Sequence, residues 1–212
     1  MRRFLEQFIK HPRKTGAVAA SSQQLARTIT GAANLSHARV VVELGPGTGV
    51  FTEKILQQLP HGAVFFALEL NPGFVADTRK RCPTATVYHD SAVHIKKYLR
   101  RHGVEQCDCI ISSLPWGVFD KKQQIDLLDA IIDVLPRHGE FLTYTYVGGL
   151  LLPAARDFLK LLRSYFAIVR KTPVVWRNIP PALIYHCRLE GPASVKHRKH
   201  AGTHPAPGSP AA

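Results

Sequence analysis

The chain has 212 residues, 45% hydrophobic and 20% charged, which suits one globular domain with a sizeable core and excludes intrinsic disorder throughout. No run of 18 apolar residues occurs, so no membrane-spanning helix is expected, and the N-terminus lacks the apolar core of a secretory signal. A net charge of +13 points to a polyanionic partner, either nucleic acid or an anionic lipid surface.

Residues 1–14 read as a short amphipathic helix stopped at Pro12. Met1, Phe4, Leu5, Phe8 and Ile9 fall within an arc of about 140° on a helical wheel. Arg2, Arg3, Lys10, Arg13 and Lys14 surround that face, against one acid, Glu6. Such a segment suits an interfacial membrane anchor; a helix packed on its own domain is the plainer alternative. Ser21 or Ser22 is placed to cap the next helix.

From about Arg39 to Glu190, apolar runs of strand length alternate with amphipathic stretches of helix length. The expected strands are Val40–Leu44, Val64–Leu68, Ala85–Tyr88, Cys107–Ser112, Glu140–Thr145, Phe166–Arg170 and Leu183–Leu189. The expected helices are Thr48–Gln58, Pro72–Arg81, Ser91–Arg101, Lys121–Leu135 and Ala154–Ser164. Strands apolar on both faces and separated by helices predict a mostly parallel, doubly wound α/β sheet. The last two strands are joined through Asn178-Ile-Pro-Pro181, too short for a crossover helix, which predicts a C-terminal antiparallel hairpin. Residues 191–212 are rich in Gly, Pro, Ala and His and are expected to be disordered. The resulting division is an N-terminal helix and cap over 1–35, an α/β domain over 36–190, and a tail over 191–212.

The four cysteines, Cys82, Cys107, Cys109 and Cys187, form no CxxC pair, so neither a metal site nor a disulfide framework is expected. Cys107 and Cys109, two apart on an expected strand, read as packing residues on one face.

Val40-Val-Val-Glu-Leu-Gly-Pro-Gly-Thr-Gly49 is the strongest local signal. A buried strand runs into a turn with glycines at 45, 47 and 49, where missing Cβ atoms allow a tight turn and a ligand against the backbone. A tight strand–helix connection without a ligand is the plainer reading. Glu69, ending the second strand, stands where an acid would bind a ribose diol, and Asp90 follows the third strand. Glu43 is a poor neighbour for a pyrophosphate but suits a ligand carrying an ammonium and a sulfonium.

This arrangement, Glu-x-Gly-x-Gly-x-Gly with acids after the second and third strands, resembles the class I S-adenosylmethionine methyltransferases. The resemblance implies their Rossmann-like sheet and S-adenosylmethionine as cofactor. It places Glu43, Gly45, Gly47 and Gly49 at the methionine end, Glu69 at the ribose with Asn71 beside it, and Asp90 with Ser91 at the adenine.

The fourth strand ends Ile110-Ile-Ser-Ser-Leu-Pro-Trp116, which in that class borders the transferred methyl. Amino-methylating members often carry Asn/Asp-Pro-Pro-Tyr or Asn-Leu-Pro-Tyr there. Ser112, Leu114 and Pro115 are therefore the acceptor-side candidates, with carbonyl acceptors left free at the turn; Trp116 is either a stacking residue or a core aromatic. Together with Arg13–Ala26 and Val175-Trp-Arg-Asn-Ile-Pro-Pro-Ala182, these pieces are similar to the bacterial phospholipid N-methyltransferases. That likeness implies methyl transfer to an aminolipid, phosphatidylethanolamine towards phosphatidylcholine or an ornithine lipid. It also implies a cytoplasmic protein peripherally attached to the inner face of the cell membrane. The glycine motif also resembles the ribosomal RNA adenine dimethyltransferases, from which Ser112 and Trp116 depart; an RNA adenine N6-methyltransferase is the alternative, with nucleic acid the lesser partner. A lipid amine must lose a proton before transfer. Tyr144, Tyr146 and Tyr185 are candidates to assist, with none singled out as a general base.

Overall fold

The structure, a computed structural model, describes residues 16–190, with side chains from residue 23 onward. The segment 1–14 and the tail 191–212 lie outside the described residues. The first described helix, α1 (Gly16–Ala32), begins ahead of Ser21 and Ser22, so neither serine caps it. Its buried side chains Leu25, Ala26 and Ile29 seal one face of the sheet.

Seven strands follow the helix: β1 (Val40–Leu44), β2 (Val64–Glu69), β3 (Thr86–His89), β4 (Cys109–Ser112), β5 (Glu140–Tyr146), β6 (Ile168–Lys171) and β7 (Ala182–Arg188). They form one sheet in the order β3-β2-β1-β4-β5-β7-β6. The first five are parallel, and β7 runs antiparallel to both β5 and β6. This is the expected doubly wound sheet with its hairpin finish. The intervening helices are α2 (Val50–Leu56), α3 (Pro72–Arg81), α4 (Ile95–Arg101), α5 (Lys121–Val134) and α6 (Pro153–Tyr165). Their ends follow local chemistry. Asn71 caps α3, with Pro72 in its first turn and Arg79, Lys80 and Arg81 in its last. Asp120 and Gln123 form a capping box on α5.

Because strand side chains alternate, the sheet divides its apolar residues between two cores. Val42, Leu44, Phe66, Ile110, Phe141 and Tyr185 pack with residues of α4, α5 and α6. Val41, Phe65, Ala67, Ile111, Leu142 and Ile184 pack with α1, α2 and α3. Two strand expectations shift. Cys107 lies before β4, its N–H donating to the Val134 carbonyl, and packs on the α5 side, whereas Cys109 packs on the α1 side. The pair therefore does not share a face. Phe166 closes α6 and stacks on Phe141, so β6 starts only at Ile168. Among the described residues no helix is long and apolar enough to cross a membrane.

Candidate active site

The parallel strands β1, β2, β4 and β5 all end at one edge, and there the glycine turn stands. Gly45, Gly47 and Gly49 all have positive φ, of 75°, 59° and 78°. A Cβ on Gly45 would meet the Leu114 side chain at 3.0 Å, so the first glycine lets the β4 loop close over the turn. A Cβ on Gly47 would meet nothing within 4 Å, so the backbone there is open and only its positive φ requires glycine. Helix α3 pins the turn from behind: Thr78 Oγ1 donates to the Gly47 carbonyl at 2.8 Å, and Arg81 Nε to that of Thr48 at 2.7 Å.

Glu43 is fully buried on the α1 side of β1. Its Oε2 accepts from Thr52 Oγ1 of α2 at 2.6 Å, while Oε1 has no partner among the described residues. Burial pushes this carboxyl up to about 8, against the Thr52 bond, with the negative Glu69 adding to the rise. Glu69 is held by two backbone donors, Gly47 N at 3.2 Å and Asn71 N at 2.8 Å. The Asn71 side chain is committed to capping α3 through Gly73 N and Phe74 N. Beside these, Leu70 is 69% exposed and offers an apolar face.

Asp90 is more occupied than its proposed adenine contact requires. Oδ1 accepts from Ser91 N and lies 2.8 Å from His94 Nδ1; Oδ2 accepts from Lys97 Nζ and Tyr98 Oη. Four donors match the roughly four lone-pair sites of a carboxylate. The His94, Lys97 and Tyr98 bonds, with Ser91 N, hold it well below the usual carboxylate range.

The acceptor loop also differs from expectation. The Ser112 hydroxyl is fully buried and accepts from Trp116 Nε1 at 3.1 Å and from Leu114 N at 3.3 Å. Trp116 is a core aromatic: it stacks on Phe158 at 5.0 Å and meets Phe141 and Phe119 edge-on. The carbonyls expected to be free are engaged, Leu114 O by Trp116 N and Pro115 O by Val118 N, both at 2.9 Å, leaving each one further lone pair. Gln124 Nε2 ties down the Trp116 carbonyl at 2.7 Å, a bond that sequence spacing alone did not suggest.

The tyrosines separate across the sheet. Tyr185, paired with Thr143, points into the α6 side near Phe158 and is 1% exposed, away from the turn face that carries Glu43. Tyr144 and Tyr146 lie on the α1 side, their rings 5.7 Å apart and perpendicular, with Phe51 of α2 at 5.8 Å from Tyr144. Burial first, then the neighbouring phenol, pushes the Tyr144 hydroxyl well above its usual value; burial likewise raises Tyr146. Phe51 was not among the expected site residues, although its place in the first turn of the helix after the glycines is a readable signal.

The open backbone at Gly47, the unpartnered buried oxygen of Glu43 and the fixed carboxylate of Glu69 fit a cationic, ribose-bearing ligand such as S-adenosylmethionine. Fold and site together define a class I S-adenosylmethionine-dependent methyltransferase. N-methyltransferase NodS from Bradyrhizobium japonicum WM9 matches over 82% of this chain and 97% of its own, with a TM-score of 0.61 and 13% identity. The O-methyltransferase TomG from Streptomyces achromogenes, solved with SAM, gives 0.61 at 14% identity over 84% of this chain and 92% of its own. A family model described as ribosomal RNA adenine dimethylase matches residues 16–115. An ornithine lipid N-methyltransferase of Singulisphaera acidiphila is 32% identical over 188 residues, 87% of this chain and 94% of that protein. The chain belongs to the family of that enzyme and is an S-adenosylmethionine-dependent N-methyltransferase.

Proposed function

We propose that this chain methylates the amine of an aminolipid, an ornithine lipid or phosphatidylethanolamine, at the inner face of the cell membrane. The observation that carries the reading is the acceptor loop. Adenine methylation calls for a side-chain amide to grip the exocyclic amine and an aromatic to stack on the base. Here the Ser112 hydroxyl is taken up by the indole N–H, and Trp116 is buried in the core. Nothing in that loop grips a flat base, whereas a flexible primary amine needs only a narrow path and carbonyl acceptors. The name of the Singulisphaera relative supports the same substrate class. The RNA reading is favoured by the family-model match, but that match ends at Pro115, before the residue that departs most.

In this reading the glycine turn and Glu43 hold the methionine end of the cofactor, and Glu69 accepts from the ribose diol. Leu70 and Ser91 flank the adenine, while Asp90 keeps the loop after β3 in shape. S-adenosylmethionine supplies an electrophilic methyl on a sulfonium. The protein must present a neutral amine in line with it at about 3 Å. A lipid amine resembles lysine and is protonated at pH 7, and a desolvated corner lined by Tyr144, Tyr146 and Phe51 disfavours the ammonium. Leu114 and Pro115 shape the opposite wall. The test is labelled S-adenosylmethionine offered side by side to vesicles carrying ornithine lipid, to vesicles carrying phosphatidylethanolamine, and to ribosomal RNA. Label in a lipid fraction is expected; label in RNA alone would overturn the reading.

A further inference from the structure

We infer that the loops 147–152 and 172–181 form a rim that inserts into the interface of an anionic bilayer and seats the active-site mouth on the membrane; this deepens the aminolipid reading. Both loops leave the edge of the sheet that carries the glycine turn. β5 ends at Tyr146, which pairs with Ala182 at the start of β7, so both loops sit beside the tyrosine pair. They are joined directly: Val147 N donates to the Pro181 carbonyl at 2.8 Å.

The 172–181 loop is built to expose apolar side chains. Val175 N donates back to Ala182 O at 2.7 Å, and the buried Asn178 donates through Nδ2 to the Pro180 carbonyl at 2.6 Å. With Val175 and Asn178 turned inward, Trp176 and Ile179 are left 71% and 59% exposed, and Leu151 on the neighbouring loop is 87% exposed. Isolated exposed apolar residues mean little, but three of the six large ones on the described surface stand on two bonded loops at one edge. A tryptophan at the tip suits an interface, where one end of the ring is apolar and the other wet.

Charge selects the occupant. Lys121, Arg156, Lys171 and Arg177 are exposed on or next to this edge, and none has a carboxylate partner among the described residues. The nearby acids are Asp120, which caps α5, and Asp157, which faces Lys160 at 3.6 Å. Apolar tips beside cations that lack carboxylate partners match an anionic lipid surface rather than an apolar protein groove.

The chain has two tryptophans, and Trp116 is buried, so a fluorescence change on docking reports Trp176. Intact protein is mixed with phosphatidylglycerol vesicles, plain or brominated in the acyl chains. A blue shift and quenching by bromine are expected, lost in Trp176→Phe. The double variant Trp176→Ser/Ile179→Ser should bind vesicles at least about tenfold more weakly, because two apolar side chains no longer leave water. It should lose methylation of vesicle-borne aminolipid yet keep it on a monomeric short-chain aminolipid. Full vesicle binding by the double variant, or Trp176 unmoved by vesicles but shifted by RNA, would overturn the inference. If the wild type docks through Trp176 but labels neither form of aminolipid, the docking surface stands and the lipid-substrate reading falls.

Discussion

Thr52 Oγ1 donates to Glu43 Oε2 at 2.6 Å, inside a carboxyl whose other oxygen finds no partner among the described residues. Burial places this group near 8, so at pH 6–7 it is mostly protonated in the free protein. A bound ligand with an ammonium and a sulfonium favours the ionised form. Cofactor binding should therefore release about one proton at pH 6–7 and close to none above pH 9. Calorimetry in buffers of different ionisation enthalpy measures it, and Glu43→Gln should release none while binding more weakly. Wild type releasing no proton, together with unchanged affinity in Glu43→Gln, would remove Glu43 from the methionine end.

The same shift bears on stability without ligand. Glu43 has a folded value raised above its unfolded 4.5, so between 4.5 and about 8 the unfolded chain binds fewer protons than the native one. Stability falls as pH rises through that window and levels off above it. Glu43→Gln should remove the slope and raise the melting temperature of the free protein at pH 8. An unchanged pH profile would show that the group is already ionised.

The sheet was largely legible because its strands are apolar on both faces and its glycine turn is continuous in sequence. The acceptor loop was not, for a physical reason. Whether Ser112 faces a substrate or an indole depends on Trp116 stacking on Phe158, more than 40 residues away along the chain. Tyr185 and Tyr144 look equivalent as aromatics near strand ends. Only the β5–β7 register, which pairs Tyr144 with Ile184 and Thr143 with Tyr185, puts them on opposite faces. Asp90 was legible as an acid after β3, but its partners His94, Lys97 and Tyr98 come from the following turn and helix, whose rotation about the strand the sequence does not fix.

Ser112 is expected to act through the fold. Ser112→Ala strands the buried Trp116 N–H, at a cost of about 1–3 kcal/mol. At roughly 2–4 °C per kcal/mol for a chain of this size, the melting temperature should fall by about 2–12 °C. Trp116→Phe in the Ser112→Ala background should cost less than in the wild type, because the stranded donor is gone. Turnover per folded molecule, measured well below the transition, should change little. A large loss of turnover with unchanged melting would instead put the hydroxyl on the substrate.

The two tyrosines should part in a paired experiment. Tyr185→Phe removes a hydroxyl on the α6 side and should leave methyl transfer intact. Tyr144→Phe removes one hydrogen-bonding group from the corner beside Phe51 and Tyr146, and should lower kcat/KM by about 2–10-fold. Cofactor affinity should hold in both. Equal losses in the two variants would mean that the hydroxyls act only through packing.

At the opposite edge of the sheet, Glu140 joins β5, β7 and the end of α1. It accepts from Asn34 N at 3.1 Å and from Arg188 Nη2, with His186 Nε2 at 3.4 Å. Burial alone would raise this carboxyl, but the nearby His186 ring and the bonds from Asn34 and Arg188 outweigh it and bring it down to about 2. A folded value below the unfolded 4.5 means that its stabilisation is fully present above 4.5 and is lost as pH falls towards 2. Glu140→Gln should therefore flatten stability between those values and leave Arg188 with a weaker partner. Arg188→Met leaves a buried carboxylate short of a donor and should cost about 1–3 kcal/mol at pH 7, below the range for a fully buried pair because solvent screens the exposed Arg188. Urea titrations of wild type and both variants at pH 7, 4 and 3 measure this. The gap between wild type and Arg188→Met should shrink as the carboxyl protonates, and a gap independent of pH would show that the arginine contributes by packing, not by charge.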